Sequence, residues 1–200
     1  MRTRSLLALI TIATLVLFVL AVRGALLWKQ HVAAAYLSDV GKLKSGLSSY
    51  ADVERLRNAY ESQSSVSKPC TAQHCAIEFS IGNDWLSRLH LANPAFLRST
   101  VTVDRDRLTR IVTLAACYPH NSGPYTVSVW EEEGNWGGHS LSVGGNTEAL
   151  VVRVSPSAAP QDREAAFHLN TRFLSDRSAC TKPGDLLPTM ASCVHSPIAE

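Results

Sequence analysis

Leu6 to Val22 is apolar at every position except Thr11 and Thr14, and no charge interrupts the run. A threonine hydroxyl bonds back to the carbonyl one turn earlier, so both residues fit a helix in hydrocarbon. With Ser5 the run counts 18 residues. At ~1.5 Å per residue that is roughly 27 Å, close to the hydrocarbon thickness of a bilayer. The pattern predicts a membrane anchor with Leu6 near one end and Leu20 and Val22 at the other. From Ala25 to Tyr36 the residues stay helix-favouring, so the anchor helix is expected to continue. Gly41 and Gly46 interrupt the next stretch. Ser48-Ser49-Tyr50-Ala51-Asp52 then opens a second helix, with Val53, Leu56 and Tyr60 on one apolar stripe. Ser62 to Lys68 reads as a polar linker ended by Pro69.

Beyond Pro69 the period changes from helical to alternating. Cys75, Ile77, Phe79 and Ile81 alternate with smaller or polar residues, the mark of a half-buried strand. Asp84 is placed to cap a short helix from Trp85 to Leu91, stopped at Asn93-Pro94. Thr100 to Val103 and Leu108 to Cys117 predict a hairpin around Asp104-Arg105-Asp106. Tyr125 to Glu131 is a further strand, and Glu131-Glu132-Glu133-Gly134 reads as its charged tip. Ser140 to Val143 and Ala149 to Val154 flank a Gly144-Gly145-Asn146-Thr147 turn. A last helix is expected to place Ala166, Phe167, Asn170, Phe173 and Leu174 on one side. Short connections favour antiparallel pairing. The expected fold is α+β: an N-terminal transmembrane helix, then an antiparallel sheet of five or six strands covered on one face by helices. The division is 1–22 as cytoplasmic tip and anchor, 23–68 as a helical stalk or helix pair with linker, and 69–200 as the extracytoplasmic domain.

Charge adds direction and excludes one class. Arg2, Arg4 and the terminal amine precede the apolar run, and such a cluster stays cytoplasmic. Arg23 and Lys29 come after it, so the bias is small; Trp28 suits the far interface. After Arg23 the chain carries 16 basic and 17 acidic side chains, scattered and interleaved. A protein that neutralises phosphates needs a clustered basic face, so nucleic acid is not an expected partner. The competing account of the N-terminus is a signal peptide cleaved after Ala21, with Val19 and Ala21 as the small-residue site. Both accounts send the domain out of the cytoplasm.

The five cysteines are Cys70, Cys75, Cys117, Cys180 and Cys193. In an oxidising compartment the plausible local pairs are Cys70 with Cys75 and Cys180 with Cys193, each closing a short irregular loop. Cys117 is then left as a small buried hydrophobe; cross-pairings stay open. The alternative is a metal site from Cys70, His74, Cys75, Cys193 and His195, without the tight Cys-x-x-Cys spacing of most structural zinc sites.

No catalytic set is legible. Gly138-His139-Ser140-Leu141-Ser142 approaches a nucleophile elbow but lacks the last glycine and the helix that should come after it. Three consecutive glutamates cannot face one substrate from a strand. Trp130 and Trp136 bracket the charged tip; stacking on a sugar or aromatic ring competes with packing of Trp130 on the helix-covered face, which is the favoured reading. Gly144-Gly145 lacks the lysine and helix of a phosphate loop. No cofactor is expected, and the seven histidines are dispersed.

Cys70-Thr-Ala-Gln-His-Cys75 running into a strand, together with Ala166-Phe167, Cys180 and Asp185-Leu186-Leu187-Pro188, resembles a family of uncharacterised bacterial single-pass membrane proteins. The resemblance spans most of the chain and implies the architecture, not a chemistry. Leu43 to Leu56 is similar to the helix pair of small outer-membrane assembly lipoproteins, and the helix-then-sheet order is similar to pilins. The lipobox cysteine of the former is absent, as are the cleavage-site glycine and fifth-position glutamate of the latter. The leading expectation is a non-enzymatic, membrane-anchored domain with an interaction or structural role in the bacterial envelope. Its expected partners are the lipid bilayer and an envelope protein. The alternative is an envelope hydrolase with a site assembled from distant residues.

Overall fold

The computed structural model describes residues 2–66, 70–89, 94–118, 123–133, 141–145, 148–176 and 179–187. One helix, α1 (Arg2–Val40), runs unbroken for 39 residues, which is roughly 58 Å of rise. Its two halves meet different surroundings. From Leu7 to Leu20 the described large apolar side chains stand 51–66% exposed. In this half Thr11 donates to the Leu7 carbonyl at 3.0 Å, and Thr14 to that of Ile10, so both hydroxyls are satisfied within the helix. From Leu26 onward a stripe is buried: Leu26, Ala33, Tyr36, Leu37 and Val40. These recur at helical spacing, so one face of the same helix packs into the domain.

The chain turns at Gly41 and enters α2 (Tyr50–Ala59). Ser49 caps it in a reciprocal box with Asp52, whose carboxylate accepts the Ser49 backbone N–H at 2.8 Å. Val53, Leu56 and Tyr60 face inward as the stripe predicts. The Tyr60 hydroxyl donates to Asp39 at 2.8 Å, tying α2 to the end of α1. Burial, then the hydrogen bond to Asp39 and its charge, push the Tyr60 pKa well above the ordinary tyrosine value.

Among the described residues seven strands form one sheet in the order β1-β2-β3-β4-β5-β7-β6. They are β1 (Ser64–Val66), β2 (His74–Gly82), β3 (Ala95–Asp104), β4 (Arg107–Cys117), β5 (Tyr125–Glu132), β6 (Leu141–Gly145) and β7 (Ala149–Val154). The fold is α+β, and the sheet is antiparallel except at one junction. There β7 lies parallel to β5, with β6 outside it as the edge. The β6–β7 hairpin is placed so that its second strand returns beside β5, which the short connections alone do not indicate. The extra strand, β1, lies in the segment that composition marks as linker; its three residues pair with Ile77 to Phe79. Arg105 and Asp106 turn the β3–β4 hairpin with φ of 50° and 63°, the left-handed pair of a type I′ turn.

Alternation places Ile77, Phe79, Val101, Ile111, Val129 and Val152 on one face, all buried. The second half of α1, α2, α4 (Pro160–Phe167) and two 3-10 turns, Thr171–Leu174 and Pro183–Leu186, cover that face. Tyr36 packs at the centre, its ring 5.0 Å from Phe79 and 5.2 Å from Tyr60. Part of the 23–68 segment therefore belongs to the same core as the sheet. The expected last helix is two pieces: Ala166 and Phe167 end α4, while Phe173 and Leu174 sit on the 3-10 turn. The short helix α3 (Asp84–Arg88) is capped in position by Asn83, not Asp84. The Asn83 side chain works elsewhere, accepting from the Ala95 N–H at 3.0 Å and donating to the Leu174 carbonyl at 3.2 Å.

Among the described residues two disulfides are formed. Cys70 joins Cys75 with Cα atoms 4.4 Å apart. Cys180 joins Cys117, not Cys193, with Cα atoms 6.4 Å apart. The assignment of Cys117 as a leftover hydrophobe is thus corrected. It ends β4 under the C-terminal 3-10 turns, where folding brings Cys180 to it across 63 residues of sequence. Cys193 lies outside the described residues.

These contacts can be tested in two ways. Replacing Cys117 and Cys180 together by serine is expected to cost about 2–4 kcal/mol in urea unfolding, because the cross-link closes a long loop. Equal urea midpoints for wild type and variant would contradict the pairing. Asp52 and Asp185 are both held below the ordinary 3.8. For Asp52 the cause is the Ser49 backbone N–H, then its hydroxyl. For Asp185 burial opposes ionisation, but Thr181 and the Lys182 N–H outweigh it. Depressed carboxylates add stability that is fully present above their unfolded-state pKa and lost as pH falls through the folded value. Replacing both by asparagine is expected to flatten the loss of stability below pH ~4, read by thermal melts across pH.

Candidate functional site

Along β5 the inward positions are Val127, Val129 and Glu131. The strand's alternation therefore buries a carboxylate completely, and Glu131 has 0% exposure. Such a group needs a paired charge. The partner is Arg163 on α4, itself 2% exposed. Its Nη1 lies 2.6 Å from Glu131 Oε2. The other carboxylate oxygen accepts the Ser45 backbone N–H at 2.7 Å. Arg163 Nη2 donates to the carbonyls of Leu43 and Gly41. Its guanidinium also lies 5.8 Å from the centre of the Phe167 ring. The pair thus binds three segments together: the loop that ends α1, strand β5, and helix α4.

Against this pair lies a groove of about 830 Å³ between the second half of α1 and α4. Its lining includes Leu37, Lys42, Lys44, Glu164, Phe167 and His168. Lys42 is held by Asp39 at 2.7 Å.

The charged-tip reading of Glu131 is corrected: Glu132 and Glu133 are exposed, Glu131 is core. Trp130 is also corrected. It stands on the face opposite the helices, 38% exposed, because Glu131 takes the inward position. Leu20 is 59% exposed and Val22 is half-buried, both on α1; Leu6 lies within that helix. Cys70 and Cys75 have their sulfurs in a disulfide, and among the described residues no group of three or more His, Cys, Asp or Glu is placed to hold a metal. Trp136, His139, Ser140 and His195 lie outside the described residues. The Arg163–Glu131 pair is missed by composition because three glutamates in a row look solvated. The signal was in the phase: Val127 and Val129 inward puts Glu131 inward too.

No family model, curated protein or solved structure matches the chain.

Removing one partner leaves the other charge buried and uncompensated. Arg163→Met is expected to cost about 3–5 kcal/mol, whereas Arg163→Met with Glu131→Leu recovers most of it. Urea unfolding of both variants checks this; a single variant as stable as wild type would contradict the pair.

Proposed function

We propose that the chain is a single-pass membrane protein with its N-terminus in the cytoplasm and its disulfide-bonded domain outside. Its role is interaction or structure in the bacterial envelope, not catalysis. The observation that carries the reading is α1. Its first half is an uncovered apolar rod, and a soluble domain does not leave so much contiguous apolar surface in water. Its second half is core, so the rod and the domain are one body.

Two further observations support the compartment and the role. Disulfides persist where the surroundings oxidise, which disfavours the cytoplasm for residues 70–180. The uncovered face of the sheet presents Trp130 with half-buried Val112, Leu114 and Val151. It offers shape and apolar area to a partner, beside an ion pair between Arg98 and Glu78 at 3.1 Å.

Alkaline carbonate washing of membranes from expressing cells is the direct test. The chain is expected to stay in the pellet and to yield peptides from residues 5–22 by mass spectrometry. A soluble protein beginning at Val22 would replace the anchor with a cleaved signal.

A further inference from the structure

The two ends of the domain differ, and α1 defines which is which. The loop after α1 meets the β3–β4 hairpin, with the Gly46 N–H donating to the Leu108 carbonyl at 2.6 Å. That end is distal to the apolar rod. At the other end Gln30 of α1 accepts a hydrogen bond from Ser175 at 2.8 Å. The adjoining Leu174 carbonyl takes the Asn83 side chain at 3.2 Å, and Asn83 opens α3. Helix α3, the start of β3 and the end of β4 therefore lie at the end from which the rod leaves.

The separation along the rod is small. Leu26 is already buried, three residues past Arg23, where the apolar run has just ended. That is ~4.5 Å of rise. A bilayer's headgroup layer is deeper than this, roughly 5–8 Å on each side. The near end of the domain has no room to stand clear of it.

The surface at this end fits the contact. Trp85 is 45% exposed, Leu89 57% and Tyr118 38%. Trp85 and Leu89 are one turn apart, the Leu89 N–H donating to the Trp85 carbonyl at 3.2 Å. Tyr118 is bonded through its N–H to the Pro94 carbonyl, and its ring lies 6.4 Å from Phe96. Leu86, on the inner side of α3, is fully buried and roots the helix in the core. Tryptophan and tyrosine are the residues that favour the bilayer interface. On α3 and the adjoining 3-10 turn Arg88 and Arg172 are matched in number by Asp84 and Asp176, the second pair lying 3.4 Å apart, so attraction to anionic lipid is not what selects this patch.

We propose that α3 and Tyr118 form a second membrane contact, seating the near end of the domain in the headgroup layer of the bilayer that α1 spans. The occupant of this apolar cluster is lipid, and zwitterionic lipid suffices. The inference rests on the reading of α1 as a membrane anchor. Its consequence is that the sheet stands upright on the membrane and the Arg163 end points away from it.

The test uses the full chain in nanodiscs of phosphatidylcholine doped with headgroup spin-labelled lipid. Three single-tryptophan variants are compared, retaining Trp28, Trp85 or Trp130, the other tryptophans being phenylalanine. Trp28 reports the anchor, Trp85 the proposed contact, and Trp130, beside Glu131, the distal part of the sheet. Loss of Trp85 emission close to that of Trp28, with Trp130 unaffected and the result unchanged by high salt, is the expected result. Quenching of Trp28 without Trp85 overturns the second contact and leaves the anchor standing. No quenching of Trp28 overturns the anchor and the contact with it. The wild-type chain gives a reading free of substitution: photoactivatable lipid is expected to label the peptide containing residues 84–89, and labelling confined to α1 would refute the contact.

Discussion

A single unbroken helix, uncovered and apolar in its first half and packed into the domain in its second, is the constraint on which the rest of this structure depends. In hydrocarbon every backbone polar group needs a partner within its own segment, and a helix provides that. In the domain the same helix needs an apolar stripe against a sheet. Helix α1 meets both demands in sequence, apolar all round as far as Val22 and striped from Leu26. No proline and no loop separates the two regimes. Orientation of the domain is therefore fixed by helical phase.

Polar contacts lock that phase at both ends. At the end from which the apolar rod leaves, Ser175 holds Gln30 while Asn83 bonds the Leu174 carbonyl and Ala95 N–H. At the far end Asp39 accepts from Tyr60, and the Arg163–Glu131 pair grips the loop after α1. Burying two charges costs several kcal/mol per ion before pairing repays it. The pair therefore constrains placement: Arg163 Nη2 finds its acceptors only when the Gly41 and Leu43 carbonyls are in reach. The Cys117–Cys180 bridge adds a covalent hold at the near end, where β4 finishes beneath the 3-10 turns.

Much of this was legible in the chain. Period and residue type marked the apolar rod, the opening of a second helix at Ser48 to Asp52, the hairpin around Asp104-Arg105-Asp106 and the alternation in β2, because each is a local pattern. What stayed hidden was non-local. The parallel seat of β7 beside β5 depends on where a hairpin docks. The partner of Cys180 depends on which strand end the C-terminal segment covers. The strand Ser64–Val66 has a polar composition and forms only because β2 offers an edge. Glu131 is the instructive case: local composition indicated a solvated tip, while the phase of Val127 and Val129 pointed inward. The phase was the stronger guide, since a one-residue slip would have exposed both valines.

Rod and domain share one continuous helix, and the account of the molecule's placement depends on that continuity. Amide hydrogen exchange of the full chain in nanodiscs tests it at the junction, Arg23 to Gln30. Slow exchange continuing without a gap from the membrane segment through Val40 is the expected result. A band of fast exchange between Arg23 and Gln30 would mean a flexible tether, and the domain would then be free of the membrane surface.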